Sequence, residues 1–166
     1  VSACVERFGA IDVLVNSEAE PAHAPLATLS DDDWQAQWDL NVMAPMRLMR
    51  AAAPVMARAG RGRIVNVASA AGKRPAPQNA AYSVTKAAQL SVSRAFADTY
   101  AAQGVLVNAV APAEDLGDRD AERPPIGRFG TPEEAAAVVL FLCSDIASVV
   151  AGAAWSADGG AVKAIV

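Results

Sequence analysis

The sequence predicts an α/β domain, a parallel sheet with helices on both of its faces. Three observations carry that expectation. Short β-like runs alternate with stretches of helical period, as βαβ units do. The runs are apolar without interruption rather than in alternation, as strands covered on both faces are. The punctuation between them, at Phe8-Gly9, Gly60, Gly104 and Pro132, falls where helices stop and start.

Residues 1–8 read as the end of a helix, and the first strand runs from Ile11 to Asn16 (IDVLVN), with both faces expected to be buried. Ser30 then supplies an N-cap, with Asp31, Asp32 and Asp33 charging the first turn. Apolar residues recur at helical spacing from Trp34 towards Met56 until Gly60 ends the pattern, and Pro45 and Pro54 inside it are expected to bend it. The second strand is Arg63 to Ala68 and the third Val105 to Val110, with a helix from about Asn79 to Gln103 between them. Gly104 ends that helix with a left-handed cap.

Past Pro112 the segment from Glu114 to Arg123 is polar and has no apolar period, so a surface loop is expected. Thr131-Pro132-Glu133-Glu134 starts the next helix, with threonine as N-cap, proline at the first helical position and Glu134 reaching back; it should run to about Ser144. A short strand near Ala153 to Ser156 precedes the turn Asp158-Gly159-Gly160. The whole of 1–166 reads as one domain. Nothing ahead of the first strand offers a pairing partner for its outer edge, and a bare apolar edge is an aggregation site. The expectation is therefore the C-terminal portion of a larger doubly wound domain, lacking its first βαβ units.

Composition narrows the function classes. With 166 residues, 53% hydrophobic and 19% charged, the chain has the material for one packed core, which excludes disorder as the main state. A net charge of −4 leaves no cationic excess for a phosphate backbone or an anionic bilayer, so neither nucleic acid nor membrane is an expected partner. Two distant cysteines, Cys4 and Cys143, make no disulfide framework or zinc site. No apolar run is long enough to span a bilayer. A soluble protein of a reducing cytoplasm is expected.

The residues most suggestive of chemistry are Tyr82 and Lys86, four apart and so on one face of a helix. A phenol ordinarily ionises near pH ~10, and a neighbouring ammonium lowers that value, which suits a proton donor and acceptor. A lone pair of this kind is also what an exposed aromatic–cation contact looks like. Ser69 follows the second strand at its carboxyl end, where open parallel sheets bind ligands, although serine there is ordinarily a turn former. Asn41 is a poor helix former within a helical stretch and by itself says little. His23, in Pro21-Ala22-His23-Ala24-Pro25, reads as a loop residue, and Arg58, Arg61, Arg63, Lys73 and Arg74 as solvated surface.

Taken together, these blocks resemble the short-chain dehydrogenase/reductase family. Asn41 stands in Leu-Asn-Val, Ser69 in Asn-Val-Ala-Ser-Ala-Ala-Gly, and Tyr82-Ser-Val-Thr-Lys86 follows. The likeness continues through Val107-Asn108-Ala109-Val110-Ala111-Pro112, Gly127-Arg128-Phe129-Gly130-Thr131-Pro132-Glu133-Glu134 and Trp155-Ser156-Ala157-Asp158-Gly159-Gly160. The resemblance implies a Rossmann-like doubly wound sheet and an NAD- or NADP-dependent oxidoreductase that interconverts a secondary alcohol and a ketone on a small-molecule substrate. Tyr82 would be the acid/base and Ser69 would orient the substrate oxygen. Lys86 would lower the phenol's pKa and bind the nicotinamide ribose, and Asn41 would help hold a proton-relaying water. Cofactor contacts would fall at Asn16, Ala19, Tyr82, Lys86, Pro112 and Ala113. A homodimer or homotetramer is implied, through the helices bearing Asn41 and Tyr82, with Ala87, Ala88 and Ala95 permitting close approach.

Departures from the family pattern motivate a second expectation. No GxxxGxG or GxGxxG turn occurs among the eleven glycines, so the backbone cradle for a pyrophosphate is absent from this stretch, and with it the residue that chooses NAD or NADP. Asn16-Ser17-Glu18-Ala19 stands where the family has Asn-Asn-Ala-Gly, and Pro112-Ala113 where it has Pro-Gly. The segment from Pro112 to Gly127 is short for a substrate lid. The alternative is a catalytically impaired relative serving as a scaffold or partner subunit.

Overall fold

Helix α1 (Ser2–Phe8) ends where Gly9 turns left-handed at φ 76°, as the Phe8-Gly9 pair predicts, and the chain enters β1 (Val13–Asn16). The computed structural model describes residues 1–18, 24–113 and 123–163. The expectations for Ala19, His23 and the acidic run Glu114 to Glu122 lie outside those residues.

Ser30 caps α2 (Asp31–Trp38) in a full capping box with Asp33, whose carboxyl is held below its usual value by the hydrogen bonds from Ser30. The helical stretch expected to continue unbroken from Trp34 to Met56 passes instead through a π-helical turn, Asp39–Met43, before α3 (Ala44–Arg58). That turn buries Asn41 and Val42. Pro45 falls just past that turn, in the first residues of α3, and Pro54 inside α3, so both lie within the continuous helical run, as expected. Strand β2 (Gly62–Val67), helix α4 (Ala80–Tyr100), strand β3 (Val105–Pro112), helix α5 (Pro132–Cys143) and strand β4 (Ala154–Ala157) follow, each within three residues of its expected bounds, α4 passing into a 3₁₀ turn at Ala101–Gln103.

The strands form one fully parallel sheet in the order β1-β2-β3-β4, in a register that places Asn16 beside Asn66 and Val67 beside Val110. Residue parity divides the core between two faces. On one, Ile64, Val105 and Val107 pack under Met49, Ala52, Ala53 and Met56 of α3 and Ala97 of α4. On the other, Val65 and Val110 pack under Leu142 of α5 and Ala147. Each fully buried aliphatic side chain contributes about 1.5–3 kcal/mol. The sheet is thus wound on both faces.

One expectation fails. β1 is buried on the α3 side only, through Leu14, and Val13 and Val15 are 44% and 42% exposed. The reason is coverage: α5 packs on β2, β3 and β4, and among the described residues no element packs on the outward face of β1.

Gly104 closes the 3₁₀ turn that follows α4 with φ 82°, and a Cβ on it would run into the carbonyl oxygen of Gly60. Both atoms of that collision belong to backbone, so neither can yield cheaply. We expect Gly104→Ala to cost about 3 kcal/mol in denaturant unfolding, the sum of the left-handed penalty and an overpacking penalty. A loss below about 1 kcal/mol would show that the Gly60–Gly104 contact is slack.

Candidate active site

Ser69 lies two residues beyond β2, in extended backbone, and caps the 3₁₀ turn Ala70–Gly72; its Oγ accepts from the Ala71 N–H at 3.1 Å. This turn rests on α4 because Gly72 has no side chain. A Cβ there would stand 2.8 Å from the carbonyl carbon of Lys86 and 2.9 Å from the Ala87 nitrogen. The glycine therefore sets how closely Ser69 approaches the helix bearing Tyr82 and Lys86.

Tyr82 and Lys86 occupy the first two turns of α4 and are both 0% exposed. The Lys86 ammonium donates to the Val67 carbonyl at 3.0 Å and to Gln89 Oε1 at 3.3 Å, and it lies 5.5 Å from the centroid of the Tyr82 ring. Burial disfavours a charged amine; carbonyl dipoles and an aromatic face offset that cost. The pair is buried, which excludes the reading as an exposed surface contact.

Asn41 reaches the same helix from the π turn. Its Nδ2 donates to Gln37 Oε1 at 2.9 Å and to Thr85 Oγ1 at 3.1 Å, and the Thr85 hydroxyl donates to the Tyr82 carbonyl at 2.9 Å. Its amide nitrogen is thus engaged with Gln37 and Thr85. Asn41 Oδ1 is buried with no hydrogen-bond partner among the described residues. Asn16 is similarly enclosed: its Nδ2 donates to Asn66 Oδ1 at 2.7 Å.

A cavity of about 700 Å³ opens over the carboxyl ends of β1, β2 and β3, between the sheet and the start of α5. Val15, Ser17, Val67, Ala68, Pro112, Ala113 and Thr131 are among its lining residues. A smaller one of about 160 Å³ is lined by Ser69, Arg74, Asn79 and Ala113 among others, so Ala113 borders both. Of the residues singled out from sequence, Ser69, Pro112 and Ala113 face cavities. Asn16, Asn41, Tyr82 and Lys86 line neither.

At the rim of the larger cavity Thr131 and Glu134 form the expected capping box, and Arg128 binds Glu134 in two bonds of 2.8 and 2.7 Å. The Arg128 guanidinium, with help from the Thr131 N–H, holds the Glu134 carboxyl down at about 2. The carboxylate closest to hand is therefore already paired, and does not repel an anionic ligand in that space.

Sequence reasoning missed the residues that hold this group in place: Gly72, Gln37, Thr85, Asn66, Gln89 and Ser93. One signal was available. Tyr82, Lys86, Gln89 and Ser93 follow the spacing i, i+4, i+7, i+11, a polar stripe on a single face of α4. All four are buried.

A doubly wound parallel sheet with a cavity over its strand ends has the layout of a ligand-binding α/β domain, and the buried tyrosine–lysine pair lies on the helix that covers the sheet's other face. The comparisons agree. Residues 1–162 match the family model described as enoyl-(acyl carrier protein) reductase. The chain is 36% identical to the 3-oxoacyl-(acyl-carrier-protein) reductase FabG of Thermotoga maritima, covering 98% of this chain and 70% of that protein. It is 35% identical to D-threitol dehydrogenase of Mycolicibacterium smegmatis, covering 95% of this chain and 65% of that one. A gluconate 5-dehydrogenase from Burkholderia cenocepacia, solved with NADP and tartrate, superposes with a TM-score of 0.90 at 30% identity, over 99% of this chain and 69% of that one. The chain belongs to the short-chain dehydrogenase/reductase family, whose members are NAD(P)-dependent oxidoreductases.

Proposed function

We propose that this protein transfers hydride between a nicotinamide dinucleotide and a small alcohol or ketone, with Tyr82, Lys86, Ser69 and Asn41 as its working group. The observation that supports this reading most directly is the buried Lys86 ammonium 5.5 Å from the Tyr82 ring. In a site with little water, such a cation favours the phenolate and brings the phenol nearer neutral pH.

Ser69 has the right polarity for its part. Its Oγ lone pair receives the Ala71 N–H, which leaves the hydroxyl proton to be donated to a substrate oxygen. In the direction of oxidation, Tyr82 takes the proton from the substrate hydroxyl as the C–H bond gives up its hydride; in reduction it returns that proton to the carbonyl oxygen. Tyr82 is enclosed, so turnover requires that entry of substrate uncover its hydroxyl. Asn41 Oδ1, an unsatisfied acceptor, suits a water on the proton path.

The larger cavity fits the nicotinamide half of the cofactor. It lies at the strand ends, its walls at Val67, Ala68, Pro112 and Ala113 are apolar, and the carboxylate at its rim is paired. Of the residues that the resemblance assigns to the cofactor, Pro112 and Ala113 line this space, Asn16, Tyr82 and Lys86 do not, and Ala19 lies outside the described residues. When bound, the dinucleotide supplies or accepts the hydride. The exposed Leu48 of α3 and Val84 of α4 add apolar surface to the two helices through which we propose a homodimer or homotetramer.

Calorimetric titration of the full-length protein with NADH and with NADPH tests the reading. Binding of either with a Kd in the micromolar range is expected. Because the glycine-rich phosphate turn is absent from these 166 residues, silence with both nucleotides would favour the scaffold or partner-subunit role instead.

A further inference from the structure

Four buried polar residues from three different elements meet behind the tyrosine–lysine pair. Asn16 at the end of β1 donates to Asn66 of β2 at 2.7 Å; Asn66 donates to Ser93 Oγ at 2.8 Å; Ser93 donates to the backbone carbonyl of Gln89 at 2.7 Å. The Gln89 side chain then turns to Lys86, one helical turn back, and accepts from its ammonium at 3.3 Å. The direction of that last bond is fixed by chemistry, since an ammonium only donates and the amide atom facing it must be the oxygen. Ser93 and Gln89 are each 2% exposed and Asn66 is fully buried. Burying polar groups is costly unless they are paired; these are bonded in series as far as the Gln89 backbone carbonyl, while Asn16 Oδ1 has no partner among the described residues.

We propose that Gln89 is a positioning residue for the reaction: its side-chain oxygen steers the Lys86 ammonium towards Tyr82, from a stretch of α4 that the Asn16–Asn66–Ser93 bonds tie to the sheet. The inference rests on reading Tyr82 and Lys86 as the acid/base pair. Lys86 is long and has several rotatable bonds, and the Val67 carbonyl fixes one of its three N–H directions. From its own helix Tyr82 and Gln89 face the amine, and from β2 the Val67 carbonyl. Gln89 supplies the second anchor without supplying a charge. A carboxylate in the same place would cancel the field that favours the phenolate.

These 166 residues hold two tyrosines, so a Tyr100→Phe background removes one, and subtracting the titration of its Tyr82→Phe derivative leaves the ultraviolet tyrosinate band of Tyr82. Tyr100 stacks on Phe96, a contact that phenylalanine preserves. In that background Gln89→Glu should raise the ionisation midpoint of Tyr82 by about one pH unit, through the added negative charge beside Lys86. Gln89→Leu, of similar volume and with no acceptor, should raise it by about half a unit and lower kcat about tenfold, with KM changed less than about twofold. Packing alone would produce no such split and no such shift. A midpoint unmoved in a folded Glu variant, as judged by circular dichroism, would overturn the proposal. If that variant fails to fold, a Leu variant with the parent's midpoint and kcat does the same. The titration needs neither substrate nor cofactor. A shifted midpoint in a protein without turnover therefore keeps Gln89 in its role and discards the dehydrogenase reading, while an unshifted one in an active enzyme discards Gln89 alone.

Discussion

Tyr82→Phe should lower turnover by about 10²–10⁴-fold while leaving the fold intact, because the substitution removes the single atom we propose to carry the proton. The ring remains. Its face still meets the Lys86 ammonium, 5.5 Å from the centroid, and the side chain still fills its enclosed site in α4. The structural penalty is limited to whatever group loses the hydroxyl as a partner, about 1–3 kcal/mol. Steady-state kinetics in both directions, with thermal unfolding alongside, separate the two effects. A phenylalanine variant that turned over a competent substrate at the parent's rate would remove Tyr82 from the mechanism.

That prediction stands on residues whose common face is legible in the chain itself. Tyr82 and Lys86 are four apart in a helix whose C-terminal end is marked by Gly104, so their common face follows from local geometry. The capping boxes at Ser30 and Thr131 are equally local, each requiring only an acid three residues on. What stayed hidden is non-local or differs by a single residue. The π turn at Asp39–Met43 adds one residue to a helical period that the apolar pattern on either side continues, and only its buried product, Asn41, shows that a turn was widened. The exposure of Val13 and Val15 depends on which element covers the far face of β1, and an apolar run carries no record of its cover. Asn16 and Asn66 are fifty positions apart and Asn66 and Ser93 twenty-seven, so their bonds exist only once strand register and helix rotation are known. Gly72 is a glycine for the sake of a helix backbone that follows it in sequence, an approach that no turn signal reveals.

Lys86→Met is expected to move activity and stability in opposite directions. Methionine has nearly the length of lysine and no charge, so it can fill the same buried path along α4. Two contributions decide the sign of the stability change. The Val67 carbonyl and Gln89 Oε1 each lose a donor, at a cost of about 1–3 kcal/mol for any that stays dry and unpaired. Against this, an ion no longer has to be held away from water, a penalty of several kcal/mol in real proteins. These two partners are neutral, so neither is left behind as an uncompensated charge, unlike the case in which half of a buried ion pair is removed. The balance favours the variant by about 1 kcal/mol, visible as an equal or higher denaturation midpoint. Turnover should nevertheless fall at least about a hundredfold at neutral pH, because without the neighbouring cation the phenol reverts towards its ordinary value near ~10. Whatever oxidation activity remains should therefore rise with pH well beyond the range in which the parent has levelled off. Full activity at neutral pH in the methionine variant, or a loss of stability beyond about 3 kcal/mol, would mean that the buried ammonium is there to satisfy the carbonyls around it and not to tune the phenol.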